Sequence, residues 1–162
     1  RAVLICASLA VAQASTIKAE QQPNTPEIVA KAFTAKRLNE RYEVTFHMNP
    51  FYLRGDFNGD GRFDVAVLVR EKKTGKTGIA VIHSGTNDVF ILGAGKTLGN
   101  GGDDFEWMDT WYVYPKKVVG RGVGESKPAV LRGEALVVEK SVSAGGLIDW
   151  NGKGYAWYQQ GD

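Results

Sequence analysis

The sequence predicts an α+β fold in which one N-terminal amphipathic helix packs on a mostly antiparallel sheet that could curl towards a barrel. Three observations predict it. Residues 26–42 carry a helical pattern of apolar positions, and short apolar segments separated by turn residues follow from residue 43 onward. All 20 glycines follow residue 54, which separates a helical head from a turn-rich body. The 162 residues are enough for one ordinary domain.

The predicted helix begins after Thr25, a suitable N-cap residue, with Pro26 at the first helical position. Apolar residues then recur at spacings of three and four, so they share one face of a helix of about four turns. The residues of this face are Ile28, Ala32, Ala35, Leu38 and Tyr42. We expect this face to pack on the sheet.

Strands are predicted wherever a short apolar or alternating segment lies between turn residues. The predicted strands are residues 44–46, 51–53, 65–69, 78–82, 89–92, 111–114, 135–139, 146–150 and 155–158. The turns at 72–76 and 85–88 make the strands around them antiparallel neighbours, and Asn151-Gly152 predicts a C-terminal hairpin. No linker interrupts this pattern, so residues 26–162 are expected to form a single domain.

Residues 1–14 have the pattern of a secretory signal peptide. A basic residue precedes an apolar segment that ends in Ala12-Gln13-Ala14, a small-x-small cleavage site. We expect cleavage after Ala14, followed by a flexible polar leader over residues 15–25 and no membrane-spanning segment after cleavage. The single cysteine, Cys6, lies in the signal, so the mature chain would lack disulfides, which fits a bacterial periplasmic or secreted protein.

Residues 56–64, with the sequence DFNGDGRFD, carry the strongest chemical signal. Side-chain oxygens stand at positions one, three, five and nine, and calcium prefers six to eight hard oxygen donors. The predicted ligands are the side chains of Asp56, Asn58, Asp60 and Asp64 and the carbonyl of Arg62. Position twelve is Val67 and not the bidentate acid of an EF-hand. Metal-free Asx-turns are the alternative interpretation of this loop.

The loop and the Val65-Ala66-Val67-Leu68 segment after it resemble the calcium loop of FG-GAP and VCBS repeats, the type found in integrin α-chain propellers. In those repeats the loop joins two strands and holds calcium, so the resemblance implies a structural Ca²⁺ bound by the same five residues. It covers residues 51–92, and the sequence has no second copy, so a multi-bladed propeller is not expected. The whole chain resembles small exported bacterial proteins of unassigned function that carry one such loop.

Aromatic residues cluster in segments 105–114 and 150–158. A candidate ligand platform consists of Trp107, Trp111, Trp150 and Trp157. Exposed rings of this kind could stack on sugars, which suits a carbohydrate or peptidoglycan binder. Cross-strand packing inside a sheet is the alternative, because strand alternation sends half of each set inward.

The remaining polar candidates are weaker. An acidic group in a Gly-rich loop could be a second cation site, the carboxylates of a hydrolase, or a solvated loop: Asp103, Asp104, Glu106 and Asp109. Neither His47 nor His83 lies in a recognisable catalytic motif, and Gly120–Gly124 lacks the strand and helix of a dinucleotide-binding loop.

Three functions follow from these patterns. The leading prediction is a non-enzymatic, calcium-stabilised exported module that binds an unknown protein or glycan of the cell envelope. The second is a carbohydrate or peptidoglycan binder, and the third is a hydrolase that uses the acidic loop. The formal charge of +2 disfavours a dedicated nucleic-acid binder.

Overall fold

The computed structural model describes residues 24–124 and 127–161, with residue 161 described by its backbone only. The predicted signal peptide and almost all of the predicted leader lie outside the described residues. Two antiparallel sheets stack face to face, and one helix lies on the outer face of the first sheet. An irregular segment, residues 115–124 and 127–134, lies on the outer face of the second sheet.

The first sheet contains β1 (Tyr42–Val44), β2 (Tyr52–Gly55), β3 (Asp64–Glu71), β4 (Thr77–Ile82) and β5 (Val89–Gly93). The central strand β3 pairs with β4 on one side and with both β1 and β2 on the other. β1 lies opposite the end of β3, from Tyr42 opposite Glu71, whereas β2 lies opposite its start, with Gly55 opposite Asp64. The two predicted strands around Pro50 therefore form one interrupted edge, and the first of them lies at 42–44 instead of 44–46.

The second sheet contains β6 (Thr110–Tyr114), β7 (Ala135–Glu139), β8 (Gly145–Trp150) and β9 (Tyr155–Gly161), paired in chain order. β8 and β9 form the predicted C-terminal hairpin, with Trp150 opposite Tyr155. The predicted α+β class with antiparallel sheets is confirmed. The barrel is not supported, because the described strands form two separate sheets and neither sheet closes on itself.

Strand alternation explains why the strands are buried on both faces. In β3, Val65, Val67 and Val69 face the helix, whereas Ala66 and Leu68 face the second sheet. The core between the sheets is completed by side chains such as Ile79, Val81, Leu92, Phe105, Trp111, Leu136, Val138 and Ile148. A sheet that is covered on both sides needs apolar residues at consecutive positions, which is why residues 65–69 are uniformly apolar.

The helix α1 (Glu27–Ala35) has nine residues and is shorter than predicted. Pro26, and not Thr25, occupies the N-cap position, and Arg37 adopts a left-handed conformation (φ 55°) just after the helix ends. Tyr42 begins β1 but is buried in the same apolar layer as Val29. The apolar spacing that continued to Tyr42 therefore reflects a shared core and not a continuous helix.

Within the described part of the chain, no helix is both long enough and apolar enough to cross a membrane.

Candidate functional site

The loop 56–64 connects β2 to β3 at one end of the first sheet. Its tight course depends on Gly59 and Gly61, which have φ values of 80° and 82°. A side chain at Gly59 would also collide with its neighbour, since a Cβ there would lie 2.4 Å from the Arg132 carbonyl oxygen. The loop backbone therefore has the left-handed conformation at the two positions where the sequence motif places glycine.

The polar side chains of the loop accept hydrogen bonds from its own backbone. The two carboxylate oxygens of Asp56 accept from Gly59 N–H at 2.8 Å and from Gly61 N–H at 3.0 Å. The Asn58 amide oxygen accepts from Asp60 N–H, and an Asp60 carboxylate oxygen accepts from Arg62 N–H, both at 2.9 Å. These are the Asx-turns of the alternative interpretation. They are compatible with a cation, because each such oxygen retains a second lone pair.

Asp64 lies at the base of the loop and is fully buried. Its two carboxylate oxygens accept from Phe57 N–H at 3.2 Å and from Ser84 N–H at 2.9 Å. Burial raises the pKa of Asp64 above its ordinary value, and the nearby Asp60 carboxylate adds to the shift, whereas the Ser84 N–H and His83 oppose it. Asp64 therefore ties the loop to the end of β4 in addition to any role as a ligand.

The loop also contacts the second sheet, through Glu134, which sequence analysis did not identify. Asp56 N–H donates to the Glu134 carboxylate at 2.8 Å, and Glu134 N–H donates to the Asp56 carbonyl at 2.7 Å. Glu134 lies 78 residues further along the chain, with no local motif around it, so nothing in the sequence indicates this pairing. The loop thus bridges the two sheets at the residue before β7.

The loop provides oxygen donors only, which suits a hard cation such as Ca²⁺ better than zinc or copper. Asp60 and Arg62 are exposed and Asp56 and Asn58 are half-buried, whereas Asp64 is fully buried. Among residues 24–124 and 127–161, no group of three or more His, Cys, Asp or Glu side chains is placed to hold a metal ion. A cation here would therefore depend on Asn58, backbone carbonyls and water as well as on carboxylates.

A cluster of aromatic rings lies beneath the loop and contains Trp150. The rings of His83, Phe90, Trp150 and Tyr155 contact one another with centroid distances of 4.9–5.8 Å. His83 is buried, and its Nε2 lies 2.8 Å from the Tyr155 hydroxyl. Burial raises the pKa of the Tyr155 phenol well above its usual range, and the Asp64 and Asp56 carboxylates add to the shift. This cluster packs the two sheets together.

The four tryptophans do not form one platform. Trp111 is only 4% exposed and donates its indole N–H to the Pro50 carbonyl at 2.8 Å, so the prediction that it belongs to a ligand platform is wrong. Its position on β6 points it into the core between the sheets. Trp107 and Trp157 are half-buried and line one cavity to which Trp150 does not belong.

Three of the four acidic loop residues are bound to separate structural partners, and the fourth, Glu106, is exposed. Asp103 pairs with the Lys76 ammonium, and Asp104 accepts a hydrogen bond from Thr77 N–H at 2.9 Å. Asp109 accepts from both the N–H and the hydroxyl of Ser141, each at 2.8 Å. His47 pairs with Thr45, at the other end of the first sheet. Through these contacts the carboxylates connect strands and loops to one another.

Comparison with known proteins identified no relative: no protein-family model, no curated protein and no solved structure matches this chain.

Proposed function

We propose that the protein is an exported, non-enzymatic binding module of the bacterial cell envelope and that its loop 56–64 holds one structural Ca²⁺. The observation that carries this proposal is the position of the loop. It is hydrogen-bonded to the end of β4 through Asp64 and to the start of β7 through Asp56. A cation bound there would stabilise the junction of both sheets.

Electrostatics support a cation at this point. Asp56, Asp60 and Asp64 lie within nine residues, and Glu134 adds a fourth carboxylate at the same junction. Like charges at such short separations repel one another unless a cation lies among them. The ligands would be Asp56, Asn58, Asp60, the Arg62 carbonyl and Asp64, with water completing the shell. Without an EF-hand's bidentate acid, we expect a dissociation constant on the order of 10⁻⁴–10⁻³ M, as in extracellular modules.

The positions of the acids and histidines support a binding role over hydrolysis. Asp103 pairs with Lys76, Asp104 accepts from Thr77 N–H, and Asp109 accepts from Ser141 N–H, so these carboxylates are held by separate structural contacts. His83 lies in the aromatic cluster beneath the loop 56–64. Acid–base catalysis needs a pair of groups that reach the same substrate atom. Both histidines have partners outside the acidic loop, His47 with Thr45 and His83 with Tyr155.

Export is proposed from the sequence pattern of residues 1–14. Mass spectrometry of the protein isolated from the periplasm or medium of its host should identify Ser15 as the first residue. Residues 1–14 retained in the mature protein would contradict export by cleavage at Ala14.

Calcium binding can be tested by thermal unfolding of the protein at increasing CaCl₂ concentration. At 100 times the dissociation constant, binding to the folded state adds about 2.7 kcal/mol to the free energy of unfolding, so the melting temperature should rise with calcium. Magnesium should raise it less, because it requires near-octahedral geometry and retains its waters.

The variant Asp60→Ala should lose the calcium response and still fold, because Asp60 is exposed. Asp88→Ala is a matched control, since Asp88 is an exposed aspartate in the turn before β5 and lies outside the loop. It should respond to calcium like the unmodified protein. An unmodified protein whose melting temperature does not change at 10 mM CaCl₂, about ten times the weakest expected dissociation constant, would contradict the site.

A further inference from the structure

A cavity of about 700 Å³ opens between the segment before β6 and the β8–β9 end of the second sheet. Its volume lies within the range of about 300–1,000 Å³ that is usual for small-molecule sites. Two indole rings, two carboxylates and two amides line it: Trp107, Trp157, Asp103, Asp104, Asn100 and Gln159. No residue of this set is part of the loop 56–64.

The two indole rings are held in place by hydrogen bonds and by close packing. Trp107 donates its N–H to the Gly101 carbonyl at 3.1 Å, and Trp157 donates its N–H to the Gln159 side chain at 2.9 Å. The rings meet edge to face with centroids 6.1 Å apart. Gly146 lies directly against Trp157, since a Cβ there would lie 2.1 Å from the indole. The aromatic walls are therefore preorganised, which reduces the entropy lost when a ligand binds.

The carboxylates of the cavity are fixed by contacts with the β4 end of the first sheet. Asp103 pairs with Lys76, which compensates its charge, and one oxygen of Asp104 accepts bonds from Thr77 N–H and Glu106 N–H at 2.9 and 3.1 Å. Among the described residues, the second oxygen of each carboxylate accepts no hydrogen bond from a protein group. These oxygens remain available to accept bonds from a ligand's hydroxyl groups.

This combination selects one class of ligand. An anionic ligand would meet two carboxylates and no cationic lining residue. A purely apolar ligand would remove those carboxylates from water without replacing their hydrogen bonds. A sugar has an apolar C–H face that packs on an indole and a rim of hydroxyl groups that donate to carboxylate oxygens. We infer that the cavity lined by Trp107 and Trp157 binds a neutral saccharide.

This inference rests on the proposed function only in that it names the ligand class of the binding module. The cavity includes Gly145 at the start of β8, whereas the aromatic cluster beneath the loop 56–64 includes Trp150 at its end. The two sets share no residue, although Tyr155 of the cluster and Trp157 of the cavity both lie on β9. Calcium binding and saccharide binding can therefore succeed or fail separately.

The inference can be tested by calorimetric titration of the protein with neutral trisaccharides of glucose, of mannose and of N-acetylglucosamine. We expect saturable binding of at least one, accompanied by a change in tryptophan fluorescence. Trp107→Ala should weaken it by about fivefold to tenfold, as the loss of an aromatic stacking contact does. Trp107→Phe should recover part of the affinity, because phenylalanine restores a flat ring.

A second variant, which leaves both tryptophans in place, tests the cavity even if the tryptophan variants do not fold. Val123 lines the cavity and is 48% exposed, so Val123→Arg should fold normally and obstruct binding. The matched control is Phe63→Ala, which removes an aromatic ring that is 66% exposed but lies in the loop 56–64, outside the cavity. Phe63→Ala and Asp60→Ala should both bind the trisaccharide with unchanged affinity.

Several outcomes would overturn the inference. One is the absence of heat and of a fluorescence change with all three trisaccharides at 10 mM, about ten times a millimolar dissociation constant. Another is equal affinity in the unmodified protein, Trp107→Ala and Val123→Arg. Binding of tetramethylammonium without binding of any trisaccharide would identify the cavity as a site for organic cations instead.

Discussion

Both sheets are antiparallel, but different elements cover their outer faces. The first sheet is covered by α1, whose backbone groups hydrogen-bond within the helix, so that apolar contacts from Val29, Ala32 and Phe33 are sufficient. The second is covered by the irregular segment, whose described residues, 115–124 and 127–134, form no helix or strand. Its backbone groups therefore need partners from the sheet below.

Two buried tyrosines show the consequence. On the helix-covered face, the Tyr42 hydroxyl is buried and has no hydrogen-bond partner among the described residues. On the segment-covered face, the Tyr158 hydroxyl accepts from Gly122 N–H at 2.9 Å and donates to the Lys127 carbonyl at 2.8 Å. A helix thus covers a sheet by apolar packing, whereas an irregular segment must also be hydrogen-bonded in place.

Leucine truncations should give the largest contrast between the core that both sheets share and the face under the segment. Leu136 lies between the sheets and Leu147 lies beneath the segment, and both are fully buried. We expect Leu136→Ala to reduce the free energy of unfolding by about 3–5 kcal/mol and Leu147→Ala by about 2–3 kcal/mol, because an irregular segment can move into the cavity. Urea unfolding measures both. A larger loss for Leu147→Ala would show that the segment is as rigid as a sheet.

Removing one tyrosine hydroxyl from each outer face should change the free energy of unfolding less than the leucine truncations do. The two faces should respond differently. Tyr158→Phe leaves Gly122 N–H and the Lys127 carbonyl without their partner and should reduce the free energy of unfolding by about 1–2 kcal/mol. Tyr42→Phe removes an unpaired buried hydroxyl and should be neutral or stabilising. The same urea unfolding experiment tests the pair. Equal losses in the two variants would remove the distinction between the two kinds of cover.

One acidic residue on each outer face should contribute to folding stability with a different dependence on pH. Hydrogen bonds from the Thr74 hydroxyl and from Arg41 lower the pKa of Glu71 on β3, whereas burial raises the pKa of Asp149 on β8. Glu71 therefore adds stability above its unfolded pKa of about 4.3, and this stability is lost as the pH falls through the lower folded value. Charged Asp149 reduces stability at neutral pH, and its protonation relieves the loss as the pH falls towards about 3.9.

Thermal melting of two amide variants at pH 7 and pH 4 tests this difference. Asp149→Asn should raise the melting temperature at pH 7 and have little effect near pH 4. Glu71→Gln should lower it at pH 7, because the amide carries no charge for Arg41 to pair with. If Asp149→Asn instead lowers the melting temperature at pH 7, burial is not the dominant cause of the raised pKa of Asp149.

The order and approximate bounds of all nine strands could be predicted from the sequence, because apolar segments and turn residues are local signals. The stacking of the two sheets could not be predicted. The apolar residues 65–69 and 135–138 indicate that both faces of their strands are covered, but they do not indicate which element covers each face. The helix end was misplaced because Tyr42 belongs to the same core layer as Val29 and Phe33. Spacing along the chain cannot distinguish a helix face from two elements that share one core.

For the candidate site, the loop 56–64 could be located from its oxygen-bearing residues and glycines, which lie within nine positions. Its contact with Glu134 could not, because that contact joins residues 78 positions apart. Strand alternation correctly indicated that some tryptophans would be buried. It did not indicate that Trp107 and Trp157 share a cavity, because Trp107 lies in an irregular segment, where alternation does not apply.

Each sheet is built from one continuous stretch of chain, and this has a consequence for biosynthesis. The first sheet is complete at Gly93, whereas the second begins only at Thr110. A nascent chain that has emerged as far as residue 93 presents the inner side chains of that sheet, Leu68, Ile79 and Val81 among them, without the layer that covers them. Such an intermediate would be prone to aggregate until the second sheet is synthesised and docks on it.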